Sequence, residues 1–278
     1  MLKFIVLSIS IFVLLGCDVK QPPSSESDDA NLDLIYDALP EYNATTSVAP
    51  YDLDKFKDVL DKSKYQYPYD NTMIDYGEFD AYKAANFYAD ENEDFYLILN
   101  KPHNTQKQRS ELREGPNSWS TADTRGHFWV AQLRCFKPTP DLQSYTFMQI
   151  HGTQDTYNYP ILRLLWVRNR VGVYDHIWAI VIISNPDEVK IYEWIDLGPR
   201  PDEFFDAAVY VVNNMMEIII NNNVIKTYNV SYWEDVQNYF KTGVYINLFE
   251  DGGVGAVAFR ELHFLDWADP AYVHLTHY

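Results

Sequence analysis

Twelve segments between residues 95 and 264 alternate apolar and polar side chains with a period of two, and short turns separate them. Successive side chains of a strand point to opposite faces, so such a segment has one face for a core and one for solvent. A chain made of many such segments has to stack its sheets, because a lone sheet leaves its apolar face wet. The segments are 95–99, 108–114, 127–136, 145–151, 161–168, 178–183, 189–195, 205–212, 215–220, 224–230, 239–247 and 256–264. Asn221-Asn222-Asn223 and Asn185-Pro186-Asp187 read as turns, since Asn tolerates left-handed geometry and Pro starts a bend. The 22 Tyr, 15 Phe and 7 Trp favour strands as well. Helical spacing is confined to Leu53, Phe56, Val59 and Leu60, with a second short turn expected within 78–89. The prediction is an all-β sandwich or jelly roll, forming one domain over 51–278.

The first residues have another purpose. Lys3 precedes an apolar run over 4–15, broken only by Ser8 and Ser10, and Leu14-Leu15-Gly16-Cys17 follows. The run is short for a membrane span of ~20 residues and has the layout of a signal peptide. Its ending resembles the bacterial lipobox, which implies acylation of Cys17. Residues 18–50, acidic and rich in Ser and Pro at their start, read as a tether that cannot bury enough surface to order itself. The expectation is an exported lipoprotein of the cell envelope, a monomer that meets the membrane only through its acyl chain. Cys135 is then the sole remaining thiol, so no internal disulfide forms.

A net charge of −18 argues against nucleic acid as a partner. The acidity is uneven: residues 18–100 carry 19 acids against 6 Lys and Arg, whereas 101–278 carry 21 against 15. An anionic ligand is therefore compatible with the second part of the chain.

Three short motifs in that part could carry chemistry. In Gln108-Arg109-Ser110-Glu111-Leu112-Arg113-Glu114, Arg109, Glu111 and Arg113 share a strand face. Glu111 can brace both guanidiniums, leaving donor forks suited to substrate carboxylates. In Gln149-Ile150-His151, an amide and a titratable imidazole stand side by side with Ile150 turned inward. In the segment 239–247, Tyr239, Lys241, Gly243, Tyr245 and Asn247 line one face, and Gly243 would let a ligand approach the backbone. Taken singly, each motif also has an ordinary explanation as a solvated or half-buried strand.

Together the three resemble the Arg-Ser-Glu-Leu-Arg, Gln-Ile-His and Tyr-Phe-Lys-Ala-Gly-Val-Tyr blocks of polysaccharide lyase family 7, the alginate lyases. Order and rough spacing agree, and the likeness runs from about Tyr51 to Leu265. Thr242 replaces the usual Ala, and Asn247 stands where the family has Gln. The resemblance implies a jelly roll of two antiparallel sheets with a concave groove, and β-elimination of 4-linked uronates without metal or other cofactor. Arg109 and Gln149 would hold the uronate carboxylate, with His151 and Tyr245 moving protons and Tyr245 protonating the leaving oxygen. A tyrosine acting as base needs its pKa lowered, for which Lys241 and Arg109 are sources of positive field. Glu111, Arg113, Tyr239, Lys241 and Asn247 would line the groove, and Gln-Ile-His leans toward guluronate-containing blocks. Trp119, Tyr157, Tyr159 and Trp194 could stack on sugar rings or pack in the core. His103, His127, His176, His263, His274 and His277 have no metal-ligand spacing. Rival readings are a glycan-binding surface lipoprotein without activity and a lyase for another polyuronate such as glucuronan. A glycosidase fits poorly, because it needs paired carboxylates at a set separation.

Overall fold

The alternating segments form two antiparallel sheets in the computed structural model, which describes residues 37–39, 41–153, 157–247, 249–250 and 252–266. The strands are β1 (Ser63–Gln66), β2 (Thr72–Ile74), β3 (Phe87–Ala89), β4 (Phe95–Lys101), β5 (Gln108–Glu114), β6 (His127–Cys135), β7 (Ser144–Gly152) and β8 (Pro160–Arg170). They continue as β9 (Val173–Ile182), β10 (Tyr192–Pro199), β11 (Phe205–Val212), β12 (Met215–Ile220), β13 (Asn223–Asn229), β14 (Asn238–Ile246) and β15 (Gly253–Asp266). One sheet has the order β10-β9-β8-β7-β14-β5-β1-β2, the other β13-β12-β11-β6-β15-β4-β3. This is the expected jelly roll: the middle of each sheet is built from strands far apart in sequence.

The core lies between the sheets. Leu112, Phe147, Ile150, Phe240, Val244 and Ile246 from the first meet Trp129, Leu133, Val209, Val257, Phe259 and Phe264 from the second. Each large apolar side chain taken fully from water contributes about 1.5–3 kcal/mol. Helix α1 (Asp54–Asp61) packs Phe56, Val59 and Leu60 beside β15, with Asp54 in its first turn where the helix dipole favours an acid. Asn221 and Asn222 sit at φ +48° and +62°, making the two-residue turn between β12 and β13.

The first strands are less legible in the sequence. β1 is buried at Ser63, Tyr65 and Gln66, so no alternation marks it, and Tyr65 Oη lies 2.8 Å from Ser110 Oγ inside the fold. The region 78–89, expected to hold a short turn, ends in β3, whose three residues are all buried. Of the tether expected over 18–50, residues 37–39 and 41–50 are described, and several of them contact the sandwich. Asp37 accepts a hydrogen bond from Lys137 N at 2.9 Å and pairs with Arg200 Nη1 at 3.3 Å, Val48 bridges Ala89, and Ala49 and Pro50 are buried. Asp37 finds its partners in the segments that follow β6 and β10, and Val48 finds its partner on the edge strand β3. The signal peptide, Cys17, His274 and His277 lie outside the described residues. No helix among the described residues is long and apolar enough to cross a membrane.

Candidate active site

Register in the eight-stranded sheet brings the three motifs onto neighbouring strands. On β14, Lys241 stands opposite Arg113 of β5 on one side and Gln149 of β7 on the other. Tyr239 pairs with His151, and Tyr245 with Arg109. A cavity of ≈ 260 Å³ opens on this face, lined by Arg109, Gln149, His151 and Tyr245, and also by Lys107, Arg163 and Tyr192.

Beneath it sits a buried charge cluster. Glu111 is 0% exposed; it accepts a hydrogen bond from Gln149 Nε2 at 2.5 Å and pairs with Lys241 Nζ at 2.7 Å and Arg109 Nη1 at 3.4 Å. Burial opposes ionisation of Glu111, but the Lys241 and Arg109 charges outweigh it and hold the pKa below its ordinary value. To reach Gln149, Glu111 must lean across β14, about two strand spacings of ~4.8 Å. The β14 residue opposite Glu111 is Gly243, so no side chain stands in between.

Several expectations change here. Glu111 braces Arg109 and Lys241, not Arg109 and Arg113; the Arg113 guanidinium lies 4.1 Å over the Tyr239 ring instead. Lys241, 1% exposed, is a strut of the cluster and not a groove wall. Burial, then its neighbour Glu111 acting the other way, leaves its pKa at about 8. Gly243 serves the fold before any ligand: at φ +132°, a Cβ there would stand 2.2 Å from Ser110 O. The pairing of β14 with β7 shifts register between Thr242 and Tyr245, a bulge that re-aims Tyr245. Asn247 falls past the end of β14, where its Oδ1 accepts from Phe249 N at 2.6 Å, outside the cavity wall.

The proton-transfer candidates are differentiated by their surroundings. His151 Nδ1 lies 2.9 Å from Gly152 O, an atom that can only accept, so Nδ1 carries the hydrogen. Nε2 is left with its lone pair. Burial, aided by the Lys241 charge, pushes the imidazole pKa down to about 4, so the ring is neutral near pH 7. Tyr245 moves the opposite way: burial raises its pKa above the ordinary value, although Arg109, 5.2 Å from its ring centroid, pulls it down. The positive field expected to make Tyr245 a base is therefore outweighed by desolvation, and the phenol keeps its proton.

Arg109 also pairs with Asp70 Oδ1 at 2.5 Å, a partner from the loop after β1 that no motif announces. Arg163 was missed too. It interrupts an apolar strand with nothing around it in sequence to mark it, and only the register places it opposite Gln149. Of the aromatics, Trp119 is a core residue that stacks on His127 and donates to Glu114 Oε2 at 3.0 Å. Tyr159 lines the cavity, Tyr157 bonds Asp187, and Trp194 packs edge-on to Trp178 under Arg170.

A jelly roll carrying a neutral imidazole, a protonated phenol and carboxylate-binding donors in one open cleft has the equipment of a polysaccharide lyase. The family model described as alginate lyase matches residues 59–265. The chain belongs to that family, the alginate lyases of polysaccharide lyase family 7, and is an enzyme of the lyase class. An alginate lyase from Photobacterium sp. (strain ATCC 43367) is 32% identical over 199 residues, 60% of this chain and 68% of the relative. Among solved structures, the alginate lyase AlyC3 superposes with a TM-score of 0.71 at 22% identity, covering 83% of this chain and 100% of its own. AlyC3 has also been solved in complex with dimannuronate. The alginate lyase A1-II′, described as a member of polysaccharide lyase family 7, superposes at 0.59 with 17% identity, covering 79% of this chain and 98% of its own.

Proposed function

We propose that this alginate lyase acts on guluronate-containing blocks, with His151 as base and Tyr245 as acid. One observation carries the reading: near neutral pH His151 offers an unprotonated basic nitrogen at Nε2, while the Tyr245 phenol holds its proton. Arg109 and Gln149 bind the carboxylate beside C5, which makes the C5 proton acidic and stabilises the enolate that forms. His151 Nε2 takes that proton. The C4–O bond then breaks, its electron pair leaves on the glycosidic oxygen, and Tyr245 protonates that oxygen. A C4–C5 double bond remains on the new non-reducing end. In guluronate the C5 proton and the leaving oxygen lie on opposite faces of the ring, which suits two separate groups.

Mannuronate is the second reading, supported by the dimannuronate bound to AlyC3. There proton and leaving group share a face and Tyr245 would serve as both base and acid, a task its raised pKa opposes. The deciding experiment follows the ultraviolet absorbance of the unsaturated product on polyguluronate, polymannuronate and glucuronan. A faster rise on polyguluronate is expected; a faster rise on polymannuronate would transfer the base role to Tyr245. The same reading places the mature chain on the cell envelope through an acyl group on Cys17 and treats it as a monomer. Globomycin-sensitive processing and radiolabelled palmitate incorporation lost in Cys17→Ser test the first point, and sedimentation the second.

A further inference from the structure

Three cations line the active-site cavity, and two of them already have carboxylate partners. Arg109 pairs with Asp70 and Glu111, and Lys107 pairs with Asp70 at 3.8 Å. Arg163 has no carboxylate within ion-pair distance among the described residues, although it sits in the same wall. A buried or half-buried guanidinium ordinarily recruits an acid. Arg200 does so, with Asp175 at 2.9 Å, Asp202 at 3.0 Å and Asp37 at 3.3 Å. The two arginines respond in opposite directions. Burial lowers the pKa of both, but hydrogen bonding and charge from Asp175 lift Arg200 above the ordinary value, whereas Arg163 stays below it. Arg163 has lost water without gaining a counter-charge.

Its position indicates what supplies one. Across the sheet, Lys241, Gln149, Arg163 and Ile180 stand in one row on β14, β7, β8 and β9. Arg163 is therefore one strand spacing, ~4.8 Å, beyond Gln149 and further from the Glu111 cluster. Pro160, Ile180 and Ile182 in the cavity wall are apolar, and Tyr245 and Tyr192 are the phenols whose charge acts on Arg163, so no protein acid competes for the guanidinium. The substrate of the family is a polymer with one carboxylate on every sugar. We propose that Arg163 is a specificity residue that binds the carboxylate of the uronate adjoining the one held by Arg109 and Gln149. It recognises the polymer as a polyanion and takes no part in the elimination. This rests on the reading that Arg109 and Gln149 hold the reacting sugar.

A group that binds the neighbouring sugar equally in ground and transition states raises affinity without changing turnover. Arg163→Gln should therefore raise KM for the preferred polyuronate roughly tenfold or more, the size of a charge-assisted hydrogen bond lost, with kcat within about twofold. Arg163→Lys, which keeps the charge but loses the planar fork, should fall between the two. On the same polymer with its carboxylates partly converted to neutral esters, the gap between wild type and Arg163→Gln should narrow. The KM of the Gln variant should also depend less on added salt. A fall in kcat at unchanged KM would place Arg163 on the reacting carboxylate and overturn the proposal, as would a KM unaffected in both variants. If Arg163→Gln fails to fold, Arg163→Lys and its response to esterification decide alone. An inactive wild type would instead refute the catalytic reading, so the two failures are distinguishable.

Discussion

Replacing Glu111 by Gln tests the buried cluster directly. The change keeps shape and removes one negative charge, leaving Lys241 Nζ and Arg109 facing each other where a carboxylate stood 2.7 and 3.4 Å away. Arg109 retains Asp70, so the stranded charge is that of Lys241. Removing one partner of a buried pair typically costs about 3–5 kcal/mol. Here the loss has a ceiling, because Lys241 can release its proton. From an unfolded-state pKa of ~10.4, keeping a lysine neutral costs about 5 kcal/mol at pH 7 and about 2 kcal/mol at pH 9. The sign follows: with the folded pKa depressed, the unfolded chain binds more protons, so stability recovers as pH rises toward the unfolded value. Glu111→Gln should therefore melt roughly 8–16 °C below wild type at pH 7, and the gap should at least halve by pH 9. The double variant Glu111→Leu with Lys241→Met, which removes both charges, should be less destabilised than Glu111→Gln at pH 7. Calorimetry at the two pH values measures both. An equal melting temperature for wild type and Glu111→Gln, or a gap that does not shrink at pH 9, would show that Glu111 is not the counter-charge that Lys241 depends on.

Three further outcomes follow from the site. Tyr245→Phe should reduce turnover by at least about a hundredfold while oligosaccharide binding, measured by calorimetric titration, stays within severalfold of wild type. On the acid side, kcat/KM should fall with unit slope only as pH drops toward about 4, where His151 in the free enzyme takes up its proton. An acid limb near 6.5, the ordinary histidine value, would mean that His151 is not the buried base described. Gly243→Ala should lower the melting temperature by several degrees or prevent folding, since its Cβ meets Ser110 O at 2.2 Å and the φ of +132° is hostile to any L side chain; unaltered melting would refute that close approach.

The sequence by itself determined the class of fold and singled out Arg109, Gln149, His151 and Tyr245, which the fold gathers around one cavity. Alternation over 205–212 and 215–220 predicted β11 and β12 with their observed bounds, and the asparagines at 221 and 222 predicted the turn after β12, because each signal is local. The three motifs could likewise be read, since each lies within one strand and strand parity tells which side chains share a face. Parity does not tell which face is closed. That is why Lys241 was expected on a groove wall and is buried, and why Glu111 was expected to brace Arg113 and instead reaches Lys241 and Gln149 on other strands. Alternation marks neither β1, buried at Tyr65 and Gln66 on opposite faces, nor β3, buried throughout, because burial on both faces erases it. Tertiary structure alone decided the charge balance of the cavity. Asp70 reaches Arg109 across 39 positions of sequence, and Arg163 comes to Gln149 through the pairing of β7 with β8. Whether a cation is paired or free depends on neighbours in space, and in a sheet ordered β8-β7-β14-β5 the middle strand β14 joins β7 to β5 from far along the chain.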